Sequence, residues 1–114
     1  MANRAEIDGC WRLLHDAVRD LSLSPAAQVE AKDIGVTSDE LASDFDHAYE
    51  VARRYALVDA SGLGARLARI HDALALLTED AFVDGEALDV DPRWAQLRGL
   101  ARAALDEPGW PTQP

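Results

Sequence analysis

The residues that first invite a chemical reading are three histidines, each with an aspartate beside it: His15–Asp16, Asp46–His47 and His71–Asp72. A carboxylate that orients an imidazole makes a general base. Neighbouring residues on a helix point about 100° apart, however, so adjacency alone builds no dyad. Asp44-x-x-His47 approaches the Glu-x-x-His spacing of helical di-metal sites, but it occurs once, and such sites need the motif on two helices. The single cysteine, Cys10, can form neither an internal disulfide nor a zinc cluster, and it falls on an apolar helix face, where a buried thiol is expected. There is no glycine-rich phosphate loop and no HExxH.

What remains is acidic. From Asp33 to Glu50 the chain carries six acids and no base. At helical spacing Asp39, Ser43, Asp46 and Glu50 fall on one side, with His47 and Arg54 next to them. This stripe reads either as a solvated face or as a docking surface for a basic partner. A second acidic stretch, EDAFVDGEALDVD over 79–91, resembles an EF-hand loop when Asp80 takes the first position, which sets Gly85 at the required glycine. Phe82 and Leu88 then occupy ligand positions and Asp91 replaces the bidentate glutamate, so the loop is short of oxygens. No metal and no cofactor is expected. The stretch reads as a turn around Asp84-Gly85 with Phe82 and Leu88 facing inward, and Glu86 joins the acidic docking candidates.

These residues must be positioned by helices. The stretch from Thr37 to Leu57 is the best-defined one. Thr37 reads as N-cap with Glu40 completing a capping box, and Val36 with Leu41 as a hydrophobic staple. Leu41, Phe45, Ala48, Ala52 and Tyr55 make its apolar stripe. A first helix spans about 4–21, with Asn3 and Glu6 as its capping box and Ile7, Trp11, Leu14, Val18 and Leu21 as its stripe. Gly9 inside it implies either a later start or a closely packed neighbour. Ser24-Pro25 reads as N-cap and first position of a short helix ending before Gly35, although an ordered loop remains open there. Leu63, Leu67, Ile70, Leu74 and Leu77 mark the most apolar helix, about 62–78, as the expected centre of the core. Asp91-Pro92 starts a last helix to about 106, striped by Trp94, Leu97, Ala101 and Ala104, with Arg93, Arg98 and Arg102 as a basic side. Residues 109–114 read as a loose tail, from which Trp110 can pack back.

The predicted fold is therefore all-α: a single domain over 1–114, built as a compact bundle of four main amphipathic helices with a possible short fifth. Composition narrows the function. The 114 residues carry a formal net charge of −10, which argues against direct nucleic-acid binding and against anionic membrane surfaces. No apolar run approaches the ~18 residues of a membrane helix. The start, MANRAEIDGCW, lacks the pattern of a signal peptide, and one cysteine fits a reducing compartment, so a cytoplasmic location is expected. Ten arginines against one lysine, with abundant alanine, resemble the bias of a high-GC bacterial genome.

Two resemblances give the function classes. The acidic helix around LASDFDHAYE, the leucine-rich LGARLARIHDALALL and the late DPRWAQLRGLARAAL are together similar in pattern to small acidic helical immunity proteins of bacterial toxin systems. That resemblance implies a non-enzymatic protein that binds a basic toxin and masks it, with Asp39, Asp46, His47, Glu50 and Glu86 as the partner-binding candidates. The alternative rests on Arg66 and His71 in RLARIH, which have the R-x4-H spacing of HEPN-type ribonucleases. It would make these two residues catalytic, although Leu67 stands where that family commonly has a polar residue. A third class is a self-assembling structural subunit. An enzyme ranks below a binding protein, and the sequence leaves the oligomeric state open.

Overall fold

A computed structural model describes residues 3–31, 37–55, 62–82 and 87–110 of the chain. Each helix start can be traced to local chemistry. Helix α1 (Arg4–Ser22) begins where the Asn3 carboxamide accepts from the Glu6 amide at 2.8 Å. Asn3 Nδ2 in turn donates to the Glu6 carboxylate at 3.4 Å, so the expected box closes through side chains. Helix α2 (Pro25–Ala31) forms as one of the two readings anticipated, with Ser24 Oγ accepting from Ala27 at 3.3 Å. Helix α6 (Pro92–Asp106) has the expected bounds. The Asp91 carboxylate accepts from the Arg93 amide at 2.9 Å, and Pro92 occupies the first turn, where its missing N–H costs nothing.

Helix α3 (Thr37–Arg54) differs from expectation at both ends. Thr37 is already helical and buried, and Val36, its staple residue, lies outside the described residues. Because the helix stops at Arg54, Tyr55 leaves the helical period and is exposed; Tyr49, four residues after Phe45, takes its place in the core. Helix α4 (Gly62–Ala75) ends earlier than predicted, and the chain continues into a 3₁₀ turn (Glu79–Phe82) and the short helix α5 (Ala87–Val90). The candidate caps Asp59 and Ser61 lie outside the described residues, as do Asp84, Gly85 and Glu86. Gly62 opens α4 at φ +49°, a left-handed conformation that a side chain disfavours.

Helix α1 packs against both α3 and α6, while α4 packs against α6 and, over a smaller area, α3. Among the described residues the α1–α6 contact is the most extensive, and Leu63, Leu67, Ile70 and Leu74 of α4 are buried in the same core. The buried set runs through α1, α3, α4, α5 and α6, with Trp94 and Phe45 its largest fully enclosed side chains. The Trp94 indole donates to the Ala81 carbonyl at 3.0 Å, tying α6 to the 3₁₀ turn. The radius of gyration of 13.9 Å is close to the ~13 Å of a compact chain of this length. The described residues are all-helical, with no strand, and none of their helices is long and apolar enough to cross a membrane.

Gly9 meets neither explanation anticipated for it. The helix already runs from Arg4, and a Cβ at Gly9 would find nothing within 4 Å. Trp110 does pack back: its indole donates to the Ala104 carbonyl at 2.9 Å and lies edge-on to Trp11 and His15, with ring centroids 5.8 and 5.0 Å away. Residues 111–114 lie outside the described residues.

Candidate partner-docking surface

The outward face of α3 is set by the stripe on its inner side. Burying Leu41, Phe45, Ala48, Tyr49 and Ala52 against α1 and α4 turns Asp39, Ser43, Asp46, His47 and Glu50 to solvent. Between this face, α4 and the 3₁₀ turn lies an open depression of ≈ 590 Å³. Asp39, Asp46, His47 and Glu50, four of the five docking candidates, line it, together with His71 of α4. The fifth, Glu86, lies outside the described residues. Tyr49 and Phe82 supply aromatic surface, and no lysine or arginine is among the described residues lining it. Sequence reasoning left Tyr49 off the stripe, although its spacing from Phe45 signals it; Phe82 faces inward as expected.

Asp46 and His71 meet here from two helices, with Oδ1 and Nδ1 3.9 Å apart. That is too far for a hydrogen bond, and the buried Nδ1 has no hydrogen-bond partner among the described residues. The His71 ring also rests against Tyr49, 5.0 Å between centroids, and Tyr49 stacks on Phe45 at 5.4 Å. Partial burial raises the Asp46 carboxyl above its ordinary 3.8, and the nearby imidazole pulls it partly back. Asp46 is thus an acid whose charge is only partly compensated by its own fold. Glu50 has a weak companion in Arg54 at 3.8 Å, and both are well exposed.

Arg66 and His71, five positions apart on α4, have different neighbours in the fold. Arg66 Nε donates to Glu107 at 3.3 Å, beyond the end of α6, whereas His71 turns to α3. Asp80 and Asp91, near the two ends of the acidic stretch, share a cation of the chain's own. Arg93 is held by both Asp91 oxygens and by Asp80 at 3.1 Å, and it also donates to Thr78, which itself bonds Asp80. Hydrogen bonds from Thr78 and Arg93 lower the Asp80 carboxyl, and those from Arg93 lower Asp91. The end positions of the EF-hand alignment are therefore occupied by a guanidinium.

Of the other arginines of α6 that the sequence placed on a basic side, Arg98 departs from it and Arg102 stays exposed. Arg98 is buried and donates to the Leu88 carbonyl at 2.8 Å, and Arg102 donates to the Ser22 carbonyl at the end of α1, 3.1 Å away. Burial, then the neighbouring Arg102, lower the Arg98 pKa, and Asp89 opposes them. Each guanidinium closes a helix end, Arg98 within the core and Arg102 at the surface. Among the described residues, no group of three or more His, Cys, Asp and Glu side chains gathers as metal ligands would.

No family model, curated protein or solved structure matches this chain. The functional reading therefore rests on the geometry above.

Proposed function

We propose that the protein is a non-enzymatic interaction module whose α3 face binds a partner with a basic surface, in the manner of an immunity protein that masks a toxin. In this reading α1, α3, α4 and α6 are the four helices of a bundle, with α2 as the short fifth, and the protein acts in the cytoplasm of a bacterium. One observation carries the proposal: Asp39, Asp46, His47 and Glu50 line a single open depression with no lysine or arginine among its described lining residues. The field of such a patch steers a cationic partner and speeds encounter, and buried anchors then set the lifetime of the complex.

The test is an affinity capture from the native host with this chain as bait, eluted by a salt gradient. The expected result is one basic protein released as salt rises. The triple variant Asp39→Asn, Asp46→Asn, Glu50→Gln then weakens its capture at least tenfold, chiefly through slower association. Unchanged binding by the triple variant refutes the surface.

A further inference from the structure

We infer that the docking face is gated by pH: protonation of His71 and His47 cancels most of the charge lining the α3–α4 depression, so that a cationic partner segment held near neutral pH is released on mild acidification. The inference rests on the reading of α3 as a docking surface and adds the regulation of that surface. Among the described lining residues the charge comes from three carboxylates, Asp39, Asp46 and Glu50, and the two imidazoles are the groups that can turn positive. An imidazole changes charge between about pH 8 and pH 5, a range in which ordinary carboxylates stay largely ionised. The formal charge of the described lining therefore shrinks from −3 to −1 when both rings are protonated.

The gate centres on His71. Its Nδ1 lies 3.9 Å from Asp46 Oδ1 and is buried without a hydrogen-bond partner among the described residues. A protonated ring sets its charge beside Asp46, which is then engaged by its own fold instead of by a partner. From α3 the ring also meets Tyr49, while Asp39, His47 and Glu50 line the same hollow. From the 3₁₀ turn Phe82 lines it, and the Asp80 of that turn is held by Arg93. Asp72 follows His71 on α4. On the α6 side of α4, Arg98 and Arg102 donate to carbonyls and Glu107 is held by Arg66. Arg54, 3.8 Å from Glu50, and Arg53, 5.9 Å from the Tyr49 ring, keep their charge throughout and set a constant background. His47 also lines a hollow between α3 and α1, which it shares with Asp16, Arg19, Asp20 and Asp44.

The experiment is an amide NMR titration of the isotope-labelled full chain with a hexa-arginine peptide at low salt, since arginine keeps its charge over the whole range. At about pH 8 the peptide is expected to shift Asp39, Asp46, His47, Glu50 and His71, and at about pH 5.5 to bind about tenfold more weakly. The double variant His47→Gln, His71→Gln, whose amides stay neutral, then loses less than about twofold over the same interval. His15→Gln, a change outside the depression, keeps the full loss. In the wild-type chain the loss follows the ring-proton titrations of His71 and His47, a readout that depends on no variant folding. A double variant that weakens as much as the wild type overturns the gate and assigns the effect to carboxylates. Wild-type binding that is the same at both pH values overturns the gate but keeps the α3 reading. Absence of shifts on α3 at either pH overturns both. Shifts spread evenly over all acids, Glu6 and Glu107 included, mark unspecific charge attraction and likewise overturn both.

Discussion

Gln28 is the side chain on which the placement of α2 depends. It is fully buried in a helix of thin apolar content, and its Nε2 donates to the last-turn carbonyls of α1, Asp20 at 3.2 Å and Leu21 at 3.0 Å. Carbonyls of a last turn run short of intrahelical donors, and the Asp20 carbonyl is shared with the Leu23 amide at 3.4 Å. Two acceptors facing one end of the carboxamide also fix its orientation, leaving Oε1 buried without a hydrogen-bond partner among the described residues. Gln28→Ala removes both bonds and the packing of the side chain. At ~0.5–1.5 kcal/mol per bond plus the lost contact, the cost is about 2–4 kcal/mol. For a chain of this length that lowers the melting temperature by about 8–16 °C. Gln28→Glu has the same shape but sets a carboxylate against two carbonyl oxygens. It is expected to be at least as destabilising at pH 7 and to recover on acidification, as the protonated acid regains one donor. Thermal melts of the three proteins between pH 7 and pH 4.5 check this. The reasoning is refuted if Gln28→Ala costs under about 0.5 kcal/mol, or if the glutamate variant shows the same pH dependence as the alanine variant.

Four further outcomes are expected. Gly9→Ala and Gly99→Ala, where a new methyl meets nothing within 4 Å, each stabilise by about 0.5–1 kcal/mol in denaturant titrations. Gly109→Ala has the opposite sign, because φ is +119° there; it costs about 1–3 kcal/mol and loosens Trp110, read by near-UV circular dichroism. The lowered pKa values of Asp80 and Asp91 mean that their stabilisation is complete above the ordinary 3.8 and is lost as pH falls through the lower folded values. Arg93→Ala therefore flattens the acid limb of the stability profile below about pH 4. Asp46 is raised, so its ionised form weighs against the fold above that range; Asp46→Asn gains stability at neutral pH, and the gain vanishes once the wild-type carboxyl is protonated.

The local signals were strong where one residue type has one use. Asn3, Ser24-Pro25 and Asp91-Pro92 set three helix starts from the sequence, since capping depends on atoms within three residues. The apolar stripes likewise identified most of the core, because a 3.6-residue period forces a buried side and a wet side, and the wet side of α3 carries the candidate site. Only the tertiary structure decided what the long polar side chains do. Arg98 and Gln28 sit in the core because each finds carbonyls offered by another helix, Leu88 for one and Asp20 and Leu21 for the other. Arg66 meets Glu107, 41 positions away in the sequence. His71 meets Asp46 in the same way, and Tyr55 leaves the stripe because α3 ends one residue earlier. Periodicity says which way a side chain leaves its helix. It does not say which neighbour waits there, and for arginine, glutamine and histidine that neighbour determines burial and hydrogen bonding.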